Sequence, residues 1–451
     1  MKRKTLLTGA TVGAGLLLAI AAVSAVLPLN QPAATPSSQP PTTTTATTTP
    51  GVSLRPVDGG PDYYARFAHG LPADPSYFPL GVWSESVVDP GNVAQDKQVG
   101  LNTYVALTAN SDIQLALDSG MYAIPAIGAP AANGHPSANG FLLTDEVDMW
   151  AGPGSGAWSG NYPGEGPICA PAASQCGYTV QSERHKAAPP GTMLYANYGK
   201  GVAFWESDAE AQGFFNGVQD LVSADTYWFT DPGICSRTEG GAVVKYAKDL
   251  TPAECRLAAN YGWTVDRLRK LSSSGNPTPV WAFVEAGHPF DNAPAALTIT
   301  GPQLRAAVWS SLIHGARGII YFNHSFGGQC ATQHVLRDCA GEVQQTVTSL
   351  NKQITGLAPV LNAPFLDGAT VPTGPVDTTT KVLDHTAYVF AGANTSAGGT
   401  ATIHLACGGS SAVVIDENRS IPVVDGTFTD TFIDGNAVHL YRIQGSSACG
   451  F

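Results

Sequence analysis

The run Phe141-Leu-Leu-Thr-Asp-Glu-Val-Asp148 decides how this chain is read. Its counterpart is Val280-Trp-Ala-Phe-Val-Glu-Ala-Gly287. Short apolar runs bounded by turn residues read as buried strands. Each of these two ends on an acid, Glu146 or Glu285. An isolated buried carboxylate is costly, so packing explains neither. Strands that converge on a cleft explain both, because two carboxyl groups in different surroundings can divide acid and nucleophile duties.

Outward from this pair, six more runs of the same kind appear: Phe78–Trp83, Leu101–Leu107, Met121–Gly128, Met193–Tyr198, Asp220–Trp228 and Gly318–Phe322. Helical patterns fall between several of them, at Ser111–Ser119, Asp208–Phe215, Ala253–Leu271 and Gly301–His314, and Glu342–Leu361 follows the last. Strands alternating with helices predict βαβ units and a parallel sheet. Eight units over residues 56–361 predict a closed (β/α)8 TIM barrel. No Gly-x-Gly-x-x-Gly follows the first run, so a nucleotide-binding doubly wound sheet is disfavoured. The third unit is the weakest, since Ala129–Asn139 is rich in Pro and Gly. The segment from Ala151 to Gly191 reads as a long loop that would shape the cleft.

Beyond Asn362 the helical period disappears. Short runs such as Ala387–Ala391, Ala401–Leu405, Ala412–Ile415 and Ala437–Ile443, separated by Gly, Asn and Asp, predict a small C-terminal antiparallel β-sandwich over residues 362–451.

The chain opens with Lys2-Arg3-Lys4, an apolar stretch and Val23-Ser24-Ala25, which reads as a signal peptide over residues 1–25. An uncleaved anchor is the rival, since the stretch nearly spans a bilayer. Residues 26–55 are expected to be a disordered Pro/Thr-rich linker, with Thr42-Thr-Thr-Thr-Ala-Thr-Thr-Thr-Pro50 at its heart. The formal charge is −12, and −15 without those three N-terminal cations, since no acid precedes residue 51. That balance argues against nucleic acid or an anionic membrane as partner and suits a neutral polymer. Eight cysteines in an exported chain suggest disulfides, with neighbours paired as Cys169–Cys176, Cys235–Cys255, Cys330–Cys339 and Cys407–Cys449. No Cys-x-x-Cys, Cys/His cluster or His-Glu-x-x-His points to a metal, and no motif asks for a cofactor. A secreted or cell-surface monomer is expected, with wall association through the N-terminal segment.

In a parallel barrel, catalytic side chains sit at the C-terminal strand ends. Alternation puts Leu142, Thr144, Glu146 and Asp148 on one face, and Trp281, Phe283 and Glu285 on another. With Thr144-Asp-Glu146-Val-Asp148 after the fourth run and Phe283-Val-Glu285 after the seventh, the chain resembles the clan of retaining (β/α)8 glycoside hydrolases. That resemblance implies Glu146 as acid/base, Glu285 as nucleophile and a poly- or oligosaccharide substrate. It also implies Tyr227 as a hydrogen-bond partner of the nucleophile. Asp145 departs from the pattern, since the clan usually has Asn there. A second acid beside Glu146 would raise the latter's pKa, and Asp145 or Asp148 stays open as the proton donor. Other residues at strand ends suited to sugar contacts are Trp83, Asn197, Tyr198, Asp225 and Asn323. His288 reads as structural and His314 as a helix-end cation. The rival reading is a non-catalytic, carbohydrate-binding, wall-associated barrel.

Overall fold

The computed structural model describes residues 49–129, 137–150, 176–215, 217–273, 277–290 and 296–451. The signal segment, almost all of the linker and Cys169 lie outside them.

The eight barrel strands are Leu80–Trp83, Thr103–Val105, Tyr122–Ile124, Phe141–Asp145, Leu194–Tyr198, Leu221–Ala224, Ala282–Glu285 and Ile319–Phe322. All neighbouring pairs are parallel, and the eighth strand lies against the first, with Leu80 opposite Ile319. The third and fourth strands meet through Ala126 and Leu142, and the sixth and seventh through Val222 and Val280. These contacts close the barrel. One face of the strands fills the interior with Trp83, Val105, Ile124, Leu142, Tyr195, Trp281, Phe283 and Ile320. The other face, including Val82, Tyr104, Tyr198, Val222, Val284 and Tyr321, packs under the helices. The floor is plugged by Tyr63 and Tyr64, whose hydroxyls bond Asp220 O and Trp281 Nε1.

Several boundaries differ from the sequence reading, each for a local reason. A register shift between Leu142 and Thr144 reverses the in–out parity of the fourth strand. Thr144 therefore turns outward to Gln181, and Asp145 faces the mouth beside Asn197. The strand stops at Asp145. Glu146 takes a left-handed backbone (φ 47°) and Val147–Trp150 forms one helical turn, so Glu146 and Asp148 do not share a strand face. The helix expected over Ala253–Leu271 is two, Pro252–Cys255 and Ala259–Leu271. Asn260 caps the first by donating to Glu254 O and Cys255 O, while Cys235 tethers Cys255. Among the described residues, two α-helices of more than one turn escaped the periodicity. Pro90–Gln98 is set by an Asp89/Asn92 capping box, and the mostly polar Gly177–Ala187 lies inside the expected loop. No helix joins the third and fourth strands among the described residues.

The C-terminal region is a two-sheet sandwich. One sheet has seven strands and the other holds Thr370–Thr373, Gly399–Leu405 and Thr427–Phe432. Val389, Ile403, Phe428, Phe432 and Ile443 form the core between them. The seven-stranded sheet begins with Ser53–Arg55, paired antiparallel to Phe365–Asp367. Residues expected to end the linker are thus a strand of the sandwich. The Cys235–Cys255, Cys330–Cys339 and Cys407–Cys449 disulfides are present. Cys176 is also disulfide-bonded. Among the described residues no helix is long and apolar enough to cross a membrane.

Barrel and sandwich share a core, with Trp309 of Gly301–Ile313 edge-on to Phe390. Lys381, 2% exposed, donates to Leu361 O and Ala363 O and lies over the Phe365 ring, so it caps the helix Glu342–Leu361 from the sandwich side. His314 ends the barrel helix Gly301–Ile313 between Asp266 of the barrel and Asp377 of the sandwich. Burial opposes its charge, but bonding and attraction from the two aspartates prevail and raise its pKa to about 9. A raised folded-state pKa stabilises fully below the unfolded value near 6.5, and the gain is lost as pH rises through about 9. The melting temperature should fall by about 2 °C more between pH 7 and 10 in wild type than in His314→Gln, measured by calorimetry.

Candidate active site

The C-terminal strand ends form the mouth of the barrel, and four residues there adopt left-handed backbones: Ser84, Ala106, Glu146 and Tyr227. Non-glycine residues at positive φ carry strain that the surrounding structure must hold. In Glu146 that turn points the side chain back over the mouth. Its amide donates to Asn197 O at 2.9 Å.

A cluster of carboxyl groups spans strands four to six. Asp145 Oδ1 accepts from Asn197 Nδ2 at 2.9 Å, and Asn197 Oδ1 accepts from Ser223 Oγ at 2.5 Å. Ser223 in turn meets the Tyr195 hydroxyl. Desolvation in the rim raises Asp145 to about 6. Glu146 shares a side-chain hydrogen bond with Asp225 at the end of strand six. Desolvation raises Glu146, and the Asp225 bond and the charge of Lys200 offset part of that. Asp225 is buried and raised well above the usual carboxylate range, by desolvation and then by repulsion from Glu146, Asp145 and Asp148. Proton sharing is the physical outcome when carboxyls crowd in this way. Lys200 itself is held by Asp231 (2.7 Å) and Glu239 (2.8 Å).

Asp148 is fully buried and points away from the opening. Both of its oxygens accept from Gly199 N, and Oδ2 also takes Val202 N at 2.7 Å, so it pins the turn after strand five. Desolvation lifts it to about 7.

Glu285 closes strand seven at 1% exposure. Its Oε1 accepts from Phe229 N at 2.8 Å and its Oε2 from the Tyr261 hydroxyl. Desolvation raises it to about 7, against the pull of those two donors. Among the described residues no Lys or Arg pairs with it. The ring of Tyr227 packs among Phe283, Phe290 and Phe322, and its hydroxyl feels the charges of Asp225, Glu146, Asp145 and Glu285. Tyr227 thus lies among these acids, while the partner bonded to Glu285 is Tyr261.

The remaining expected contacts divide. Trp83 is in the barrel interior, edge-on to Tyr195 and Phe283, forming the base of the mouth. Asn197 faces in, so its neighbour Tyr198 must face out. Tyr198 does so, accepting from Gln181 and donating to Phe214 O beneath the helices, which corrects its reading as a sugar contact. Asn323 is also spoken for, donating to Glu85 and accepting from Leu336 N, with no surface exposed. His288 bonds Thr298 Oγ1.

Three rim residues escaped the sequence reading. Tyr261 sits in a helix, where nothing distinguishes it from a core tyrosine. Lys200 had a weak signal in its place two residues after strand five. Trp150, 48% exposed with its indole N–H on Asp145 O, is an aromatic beside the acids that end strand four.

Tyr261→Phe removes the donor that favours ionised Glu285. With Glu285 acting as a catalytic carboxylate, the acid limb of kcat/KM should then move to higher pH, with kcat lowered about 10-fold and the fold intact. An unmoved limb would mean that Glu285 does not control it.

Fold and site together define a class: a (β/α)8 barrel with a C-terminal β-sandwich, carrying buried, pKa-shifted carboxyl groups at the C-terminal strand ends. No family model matches the chain, and no curated protein matches its sequence. In three dimensions it is similar to a glycoside hydrolase family 5 protein from Bacteroides vulgatus, at 12% identity and TM-score 0.45 over 82% of this chain and 90% of that one. It is similar also to an alpha-amylase from Geobacillus thermoleovorans, at 12% and 0.43 over 82% and 98%. A third is a GH30 endoxylanase from Clostridium papyrosolvens, at 13% and 0.37 over 81% and 96%.

Proposed function

We propose that this protein is an exported glycoside hydrolase that cleaves a poly- or oligosaccharide with retention, through Glu285 as nucleophile and Glu146 as acid/base. The observation that carries the reading is the contrast between the two acids. Glu285 has both oxygens taken up by fixed donors, which offset part of the desolvation that raises it to about 7. Glu146, raised by desolvation, turns over the mouth beside Asp225, which is itself raised well above the usual carboxylate range, so the crowded pair retains a proton there. Two carboxyl groups in different surroundings at one mouth are what a double displacement uses.

In the first step a Glu285 oxygen bonds the anomeric carbon while the glycosidic oxygen leaves with the Glu146 proton. In the second, Glu146 takes a proton from water, which displaces Glu285. The half-exposed Trp150 ring offers an apolar face for a sugar ring. Disulfides and the N-terminal segment fit an exported protein acting on wall or environmental glycans.

The test is a panel of plant, fungal and bacterial wall glycans, with the first-formed anomer read by NMR. Retention is expected. An inverted product would remove Glu285 as nucleophile, and binding without turnover on every glycan would favour the non-catalytic barrel.

A further inference from the structure

Across the mouth from the carboxyl cluster, the ends of strands one and eight build a second constellation. Ser84-Glu85-Ser86 follows the first strand, and the loop after the eighth is closed by Cys330–Cys339. That short cross-linked loop carries His334 and Arg337. His334 Nδ1 contacts Glu85 Oε1, and on the other side of the ring Nε2 lies 3.4 Å from Ser86 Oγ. Hydroxyl, imidazole and carboxylate therefore stand in series.

Each member is held in place. Glu85, with no exposed surface, takes Ser86 N at 2.9 Å and Asn323 Nδ2, and Arg337 Nη1 lies at 3.1 Å. Arg337 also donates to Ser86 O at 2.8 Å, so the backbone of Ser86 is fixed at both its N–H and its carbonyl. His334 N donates to Thr332 Oγ1. The imidazole keeps about a quarter of its surface open, and Ser86 is half-buried, so both are reachable from solvent. Exposed Phe326 and Val88 supply apolar surface on the same loops. The charged and titratable groups around His334 are Glu85 beneath it, Arg337 and Asp338 on its own loop, and His324 after strand eight.

A structural ion pair explains His334 against Glu85. It does not explain a serine hydroxyl, backbone-locked and half-open, on the opposite nitrogen. A nucleophile within reach of a base that a third group orients is the arrangement of covalent acyl transfer, and the first contact is commonly long before substrate binds.

We propose that Ser86, His334 and Glu85 form a second hydrolytic centre that cleaves short-chain acyl esters. Ser86 Oγ bonds the carbonyl carbon and its proton passes to His334 Nε2. The carbon–oxygen bond to the alcohol then breaks, and the alcohol leaves with that proton. Water attacks the acyl-serine, gives a proton to Nε2, and the Oγ–carbon bond breaks as Oγ regains it. Ester and water become acid and alcohol, and Glu85 orients the ring throughout.

The test uses the full chain with p-nitrophenyl acetate, which has no glycosidic bond, so its outcome is independent of the glycosidase reading. Ser86→Ala and His334→Gln should each lower kcat/KM at least about 100-fold. Phenylmethylsulfonyl fluoride should label one residue, found at Ser86 by peptide mass spectrometry, and labelling should vanish in His334→Gln. Melting curves check that both variants fold; Ser86→Ala loses only its contact to the ring. Ester hydrolysis equal in wild type and Ser86→Ala, or no label on Ser86, overturns the proposal.

Discussion

Glu285→Gln is expected to lower turnover of any glycan substrate by at least about 10⁴-fold, because the amide cannot attack the anomeric carbon. The fold should survive. A Gln Oε1 can take the Phe229 amide proton, and its Nε2 can donate to the Tyr261 oxygen if that hydroxyl turns round. The change also removes an acid whose desolvation raises its pKa to about 7. A raised carboxyl pKa means the folded state resists ionisation, so wild-type stability falls as pH rises through that range. Glu285→Gln should therefore melt no lower than wild type at pH 8. A dead but well-folded variant supports the nucleophile. A dead and unfolded one calls for Glu285→Ala with azide, where return of activity with a glycosyl azide of opposite anomeric configuration supports the same role. Full activity in Glu285→Gln sinks the assignment.

Glu146→Gln is expected to cost about 10³-fold on natural glycans, within the range for a general acid. Its signature lies in the leaving group. An aryl glycoside whose phenol departs without protonation should form the glycosyl-enzyme at nearly the wild-type rate, then wait for water, giving a burst and then a slow steady state. Asp145→Asn should show no such split. If instead Asp145→Asn carries the leaving-group dependence, the proton donor is Asp145, and the left-handed turn at Glu146 serves to present its neighbour. Glu146→Gln should also leave Asp225 less perturbed, since the repulsion from Glu146 disappears.

The strand order was legible because parallel barrel strands are covered on both faces, so each reads as a short unbroken apolar run. Their C-terminal acids stood out against that background. The detail at the fourth strand was not legible. One irregular residue between Leu142 and Thr144 reverses which side chains face inward, and alternation has no means of announcing it. The same limit separates Asn197 from Tyr198, since both looked equally suited to a sugar until the phase of the strand was known. Tyr261 reaches Glu285 from a helix that follows a different strand, a long-range relation with no local pattern. Ser53–Arg55 is a strand only because Phe365–Asp367 lies beside it.

That last pairing has a consequence for biosynthesis. The first sandwich strand emerges from the ribosome about 310 residues ahead of its partner, as the separation of Arg55 and Asp367 shows. At roughly 5–20 residues per second, it waits on the order of 15–60 s with its edge unmatched while a whole barrel is made. The barrel is in effect a guest inserted into a host sandwich, and the host is sealed last. Arg55 then meets Asp367 at 2.7 Å, and the segments on either side of the barrel close as a seam.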